Sequence, residues 1–402
     1  MNRREELLSC AKEMIDEKEI LQLSRELIRI PSITTHEERI SKFIYRKLTK
    51  WGLPPRLVPV KGYGPSVIAE IGSPRCPSII LNGHVDTVEV MKGWKHDPFG
   101  AKIENGMLCG LGSLDMKSGI AAMMIAFRSM ADAMTSESSR IVFQAVSGEE
   151  DTSAGTRAMI SSGGFRNAKA VVVGEGFGGL RAITNGSRGG SYFDIEVMGR
   201  AAHGSKPEDG INAISDAAKI VCALDKMKMR SACGLVADDF LPLKESQTVL
   251  KISGGSKTLT VPEKCFLKVI RCTVPGKGNV EAELRRTIRT LKLESKITMK
   301  LETTPGDFFQ PYITPPNTDL VRVAARNIKA LTGRKPQLVV GRSEADDNTI
   351  AQDIGVPVVC FGPGESGELA KYHQPEEAVS IPQLVLASRA YFMTALEMAR
   401  RD

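Results

Sequence analysis

The chain has 402 residues, more than one hydrophobic core comfortably supports, so two domains are expected. Its 42% apolar and 25% charged residues are those of a soluble globular protein, and its longest strongly apolar run, residues 120–127, is too short to span a bilayer. The net charge of +7 is spread without any block of five or six like charges, and only 5% of residues are aromatic; this argues against nucleic-acid binding and leaves at most a mild preference for anionic substrates.

The amino terminus, Met1-Asn-Arg-Arg-Glu-Glu-Leu-Leu8, reads as a charged amphipathic helix rather than a secretory signal. The eight cysteines are scattered with no Cys-x-x-Cys pair, as reduced and mostly buried thiols would be. A cytoplasmic protein is expected. Residues 5–30 read as one helix, broken by Pro31-Ser-Ile-Thr-Thr35 before a second helix at about 36–51. The apolar run Pro77-Ser-Ile-Ile-Leu81 reads as a buried strand stopped by Asn82-Gly83. A long helix over 115–134 follows, then strands at 141–146 and 168–173, and this β/α alternation predicts a largely parallel sheet with helices on both faces.

The pattern changes after Ser187-Arg-Gly-Gly190. Residues 191–198 alternate apolar and polar like a half-exposed strand. A helix at 211–228, strands at 248–253 and 265–273 and a helix near 279–292 complete the signals of an inserted α+β sandwich. The α/β signals then resume with helix 318–332, strand 357–361 and helix 382–399. The expected organisation is a catalytic domain in two parts, 1–187 and 305–402, interrupted by an insert at 188–304.

Polar residues gather where this map ends its strands. His84 and Asp86 follow the strand at 78–81; Glu149, Glu150 and Asp151 follow 141–146; Glu175 follows Val171-Val-Val-Gly174; His373 lies beyond 357–361; Asp115 opens a helix. The carboxyl ends of parallel strands face one crevice, so these groups should converge there. Taken singly, each has a plainer reading: Asp115 as a helix cap, Glu149-Glu150-Asp151 as a solvated acidic turn, His373 as an exposed loop histidine. Glu175 is harder to dismiss, because an unpaired carboxylate after four apolar residues is costly. Carboxylates converging in one crevice repel one another, and a pair of divalent cations resolves the conflict; imidazole and carboxylate ligands suit zinc, cobalt or manganese.

The motifs come in a recognisable order: Gly83-His-Val-Asp-Thr87, Trp94-Lys-His-Asp-Pro-Phe-Gly100, Gly110-Leu-Gly-Ser-Leu-Asp-Met-Lys-Ser-Gly119, Gly148-Glu-Glu150, Gly174-Glu175, Ala202-His-Gly-Ser-Lys-Pro207, Ile270-Arg-Cys-Thr-Val-Pro-Gly276 and Phe361-Gly-Pro-Gly364. Over residues 20–395 the chain resembles the zinc-dependent family of acetylornithine deacetylase, succinyl-diaminopimelate desuccinylase, aminoacylase and the glutamate-type carboxypeptidases. The resemblance implies two metal ions, zinc foremost, with His84, Asp115 and Glu175 holding one, and Asp115, Glu150 and His373 the other. It implies Glu149 as general base to a metal-activated water and Asp86 as the carboxylate that orients His84. The insert would be a lid and dimerisation domain of a homodimer, with His203 reaching a neighbouring subunit's site to stabilise an oxyanion, unless the adjoining turn simply satisfies it. Arg271 would pair with a substrate carboxylate; its plainer reading is a sheet-surface salt bridge.

Two stretches depart from the family pattern. In Gly254-Gly-Ser-Lys-Thr-Leu-Thr-Val-Pro262, Leu259 stands where many members carry a lid asparagine, and leucine cannot hydrogen-bond a substrate. The usual Thr/Ser-Asp-Ala stretch is Ser343-Glu-Ala345, preceded by Arg342, which would add cationic character to the substrate pocket. The expected function is hydrolysis of a linear amide in a small, carboxylate-bearing N-acylated amino acid, by deacetylation or desuccinylation. A dipeptidase or carboxypeptidase is the alternative within enzymes. Outside enzymes the alternative is a non-catalytic metal-bound binding protein, for which a base at Glu149 would have no use.

Overall fold

The computed structural model describes residues 3–134, 139–237, 240–255, 259–276, 278–303, 308–364 and 371–400. The chain divides into two compact units: residues 1–187, 236–241 and 313–402 form the first, and 188–235 with 242–312 the second. The expected boundary at 304/305 lies outside the described residues, and the second unit continues through Tyr312.

The first unit is built on a nine-stranded sheet. Its centre is parallel: Arg140–Val146, Ser78–His84, Ala168–Val173 and Val358–Cys360 lie side by side in that order, with antiparallel strands Pro55–Val58 and Ser66–Gly72 on the outer side of Arg140–Val146. Every residue of Ser78–His84 and Arg140–Val146 is buried, as expected where both faces of a parallel sheet are covered. Helices Glu17–Ile28, Lys117–Ala133 and Ile381–Ala399 join Ile79, Leu81, Ile141 and Phe143 in the main core, while Ile80, Val142 and Val171 are buried on the opposite face.

Two local details differ from the sequence reading. The helix expected at 5–30 is two, Arg3–Met14 and Glu17–Ile28, because Asp16 leaves helical geometry and caps the second by accepting the Lys18 N–H. The strand expected to stop at Asn82-Gly83 runs on to His84, with the Asn82 amide donating to Gln144 inside the sheet instead of to a turn. The imidazole therefore sits on the last residue of a buried strand. Gly119 belongs to the same construction. A Cβ there would lie 2.5 Å from the Gly174 carbonyl, so only glycine lets the start of helix Lys117–Ala133 rest on the end of strand Ala168–Val173.

The second unit's main sheet and its helices follow one another as strand–helix–strand–strand–helix–strand, with a separate two-stranded ribbon, Ser231–Val236 and Pro242–Lys244, after the first helix. Its sheet runs Ser246–Gly254, Lys264–Thr273, Gly189–Met198, Lys296–Leu301, all neighbours antiparallel. Helices Ala213–Asp225 and Val280–Thr290 cover one face, where Phe193, Ile195, Val197, Leu267 and Val269 pack against Ile220, Leu224 and Leu284. Ser246–Gly254 is an edge strand, with Leu250 and Ile252 about half exposed. Among the described residues, no helix is long and apolar enough to cross a membrane.

Candidate metal centre

His84, Asp115, Glu149, Glu150, Glu175 and His373, spread over nearly 300 residues of chain, meet at the carboxyl ends of the parallel strands. His84 Nε2 lies 3.0 Å from Asp115 Oδ1 and 3.4 Å from Glu175 Oε1. His373 Nε2 lies 3.3 Å from Asp115 Oδ2 and 3.0 Å from Glu150 Oε2. Asp115 thus turns one oxygen to each imidazole. Two donor triads result, His84–Asp115–Glu175 and Asp115–Glu150–His373, each with its ligand atoms within 4.8 Å of one another. The helix that Asp115 was expected to open starts at Lys117, with Met116 at the cap position, so Asp115 is not its capping residue.

Orientation comes from the backbone. His84 Nδ1 donates to the Asp86 carbonyl at 3.1 Å, and an acceptor there leaves Nε2 as the nitrogen facing the carboxylates. The Asp86 carboxylate expected to orient His84 lies 3.7 Å from its Nδ1, an ion-pair distance longer than a hydrogen bond. That carboxylate is buried and accepts the backbone N–H groups of Glu149 and Glu150 at 3.2 Å each, besides the Thr34 hydroxyl. It fixes the acidic turn, and through the turn the two glutamates. Gly148 makes the turn possible, with φ of +69° and the Tyr63 ring standing 2.6 Å from where a Cβ would be.

Burial and like charge set the electrostatics. Desolvation is the largest influence on Glu175, whose pKa is pushed up to about 7, and it also raises that of Glu150. Glu149 is raised well above the carboxylate range by burial, with Glu175, Asp346 and Glu150 adding to it against the pull of His84. Burial opposes charge on His84, but hydrogen bonds to Asp115 and Glu175 prevail and its pKa is raised well above 6.5. Hydrogen bonds to Asp115 and Glu150 hold His373 at about 10. Without metal, the cluster balances its carboxylates by binding protons. The donor chemistry, imidazole plus carboxylate in two triads with one shared member, fits two divalent cations.

Several participants were not singled out in the sequence. Glu377, buried, accepts the N–H groups of Gly112, Leu114 and Asp115. Asp346 and Asp347, both buried, lie close enough to raise the pKa of Glu149 and Glu175 respectively. Asp346-Asp-Asn348 stood beside the noted Ser343-Glu-Ala345 stretch, and the acidic pair was the available signal. Ser343 is exposed and Arg342 half-buried on the segment leading into helix Asp346–Asp353.

His203 and Arg271 belong to the second unit. His203 is exposed, its Nδ1 2.7 Å from the Ser205 hydroxyl. Leu259 is 67% exposed and its carbonyl accepts the Gly204 N–H. Arg271 differs from the sequence reading, since it is fully buried, with its Nη2 2.8 Å from the buried Glu245 and 3.5 Å from Glu283, and its Nη1 3.4 Å from Gln247. An arginine so held serves an internal ion pair and offers no fork to a substrate carboxylate.

Residues 80–397 match the model of peptidase family M20/M25/M40. The chain is 26% identical to the N-formyl-4-amino-5-aminomethyl-2-methylpyrimidine deformylase of Bacillus subtilis, over 95% of each chain. It is 26% identical to a succinyl-diaminopimelate desuccinylase of Pseudomonas syringae pv. syringae, over 94% of this chain and 97% of that one. Among solved structures, a tripeptidase of Staphylococcus aureus superposes with a TM-score of 0.76 at 21% identity, over 96% of this chain and all of the other.

Arg271→Met should expose the difference between an ion pair and a substrate anchor. Removing one partner of a buried pair strands the other charge, at a cost on the order of 3 kcal/mol. Denaturant unfolding should show that loss. A variant with unchanged stability and a raised KM would instead make Arg271 a substrate contact.

Proposed function

Because this chain belongs to peptidase family M20/M25/M40, we propose that it is a dinuclear metal-dependent amidohydrolase that removes an acyl group from a small linear amide. The carrying observation is the pair of triads sharing Asp115, with Glu149 beside them and in neither. The named activities of its relatives, deformylase and desuccinylase, both take an acyl group from nitrogen and support deacylation. A peptidase acting on short peptides is the second reading, favoured by the tripeptidase likeness.

His84, Asp115 and Glu175 would hold one cation, and Asp115, Glu150 and His373 the other. Bound there, two divalent cations supply Lewis-acid polarisation of the amide carbonyl, lower the pKa of water, and offset the carboxylates' mutual repulsion. Zinc suits the donor set best. Glu149 is placed to accept a proton from water and deliver it to the leaving nitrogen: it is largely buried, its backbone is fixed by Asp86, and its Oε2 stands 4.0 Å from His84 Nε2. The Glu150 carboxyl, one residue on, turns to His373 instead.

With Arg271 committed to Glu245, a carboxylate on the substrate is not a requirement of this reading. A homodimer through the second unit, with His203 assisting a partner's site, is supported by the exposed edge strand Ser246–Gly254 and by an exposed His203 whose ring is held by Ser205.

Metal-loaded protein should cleave members of a panel of N-formyl, N-acetyl, N-succinyl and dipeptide substrates. Glu149→Gln should retain both metals and lose about 10²–10⁴-fold in kcat. Wild-type turnover in that variant, or no cleavage of any panel member by two-metal protein, would sink the reading.

Metal binding should also release protons. Above pH 7 the metal-free cluster keeps protons on His84 and His373, whose pKa values are raised, and ligation needs both imidazoles neutral. As pH falls, Glu175 and Glu149 take up protons as well, so metal affinity should fall. Calorimetric titration in buffers of different ionisation enthalpy measures the release; none between pH 6 and 8 would contradict the assignment.

If dimers exchange subunits, mixing inactive Glu149→Gln and His203→Ala chains should restore activity, since one site in each hybrid joins an intact base to an intact partner imidazole. Exchange without recovery would confine His203 to its own chain or to no role.

A further inference from the structure

Glu377 has no task in the chemistry above, yet it is among the most deeply buried acids in the first unit. Among the described residues no lysine or arginine forms a salt bridge with it. Its partners are backbone: Oε1 accepts the Leu114 and Asp115 N–H groups at 2.6 and 3.0 Å, Oε2 accepts that of Gly112 at 3.0 Å, and its carbonyl accepts the Gly110 N–H at 3.0 Å. The next residues, Ala378–Ser380, pair with Met107–Cys109, just ahead of the same loop. Four residues before Glu377 comes His373, whose Nε2 approaches the Asp115 carboxylate. One five-residue segment, 373–377, therefore grips Asp115 twice, by its side chain through His373 and by its backbone N–H through Glu377.

We propose that Glu377 is a positioning residue for the metal centre: it sets the Asp115 loop against the His373 loop, and so fixes the spacing of the Asp115–Glu150–His373 triad. The inference rests on the dinuclear reading. A buried carboxylate is costly to desolvate, and three converging N–H groups are one of the few arrangements that compensate it. The same three donors lie on the 112–115 loop, where their convergence on one carboxylate adds to the backbone bonds of Leu111, Ser113 and Lys117 in holding Asp115 against His373. A displacement of that order matters to metal affinity, because outer residues that hold ligands in place typically contribute tenfold to a hundredfold. Glutamine at 377 would keep one acceptor oxygen for Leu114 and Asp115 but turn an NH₂ group toward the Gly112 N–H.

The test compares zinc binding to wild type, Glu377→Gln and Glu377→Asp by chelator competition, with His373→Ala identifying which dissociation constant belongs to the Asp115–Glu150–His373 position. The visible spectrum of each cobalt-loaded protein and the melting of each metal-free protein are read alongside. The expected result is a rise of tenfold or more in that one constant and a smaller rise in the other, since Asp115 serves both, with an altered cobalt spectrum and metal-free melting close to wild type. Glu377→Asp, which keeps the charge but draws the oxygens back, serves if the glutamine variant does not fold, and should show the same selective weakening. Both constants unchanged, or both weakened in step with a loss of metal-free stability, would overturn the proposal. Wild-type protein that binds no zinc would overturn the dinuclear reading itself, whereas two tight sites in every Glu377 variant would overturn only the role of Glu377.

Discussion

Mutual repulsion among desolvated carboxylates is the constraint on which the first unit turns. Asp115, Glu149, Glu150 and Glu175 lie within a few ångströms of one another and of only two imidazoles, with Asp86, Asp346, Asp347 and Glu377 behind them. Such a group persists only because rigid elements force it together. Glu149 and Glu150 follow one strand of the buried sheet and Glu175 another, while Asp115 comes from the loop that leads into helix Lys117–Ala133. Folding energy from apolar burial thus holds charges where they would not otherwise stay. The repulsion raises the proton affinity of the cluster, as the raised pKa values of Glu149, Glu175 and His373 show, and suits it to divalent cations.

A second device recurs around this cluster. Three buried acids are satisfied chiefly by backbone N–H groups rather than by cationic side chains: Asp86 by Glu149 and Glu150, Glu377 by the loop from Gly112 to Asp115, and Glu37 by Thr35 and Gly64. Each staples a loop at the mouth of the crevice. One cation is near: the buried Lys117 ammonium, donating to the Ile30 carbonyl, interacts electrostatically with Glu377 and Asp86. Backbone amides compensate charge without adding any, and they orient the peptide that donates them. The cost is that a staple reaches only its own loop, so each acid acts on a few neighbouring residues.

Much of this could be read from the chain because apolar runs end in polar residues. Val171-Val-Val-Gly174 followed by Glu175, and residues 141–146 followed by the Gly148-Glu-Glu150 turn, announce strand ends with chemistry attached, and the structure places them so. The staples were not legible. Glu376-Glu377 after Gln374-Pro375 has the composition of a solvated turn, and only the fold shows that one of the pair points inward while the other bonds to His96. The turn signal Asn82-Gly83 places His84 past its strand, yet Gln144, in register on the neighbouring strand, accepts from the Asn82 amide and the pairing continues to His84. Local composition cannot report a partner that is distant in the chain.

Arg271 shows the same limit from the other side. It stands in a strand where alternate positions face opposite ways, on the buried face with Leu267 and Val269, and nothing in that stretch announces the charge awaiting it. The charge is Glu245, buried on the preceding segment and shared with Arg230, so the guanidinium is neutralised inside its own unit. A motif match transfers residue type without transferring surroundings, and for an arginine the surroundings decide whether its charge faces a ligand or a carboxylate of its own chain. The candidate ligands His84, Asp115, Glu150, Glu175 and His373 are less exposed to that error, since the two imidazoles and three carboxylates converge from distant parts of the chain. Residues whose role depends on mutual geometry carry their own check; a solitary side chain assigned by motif does not.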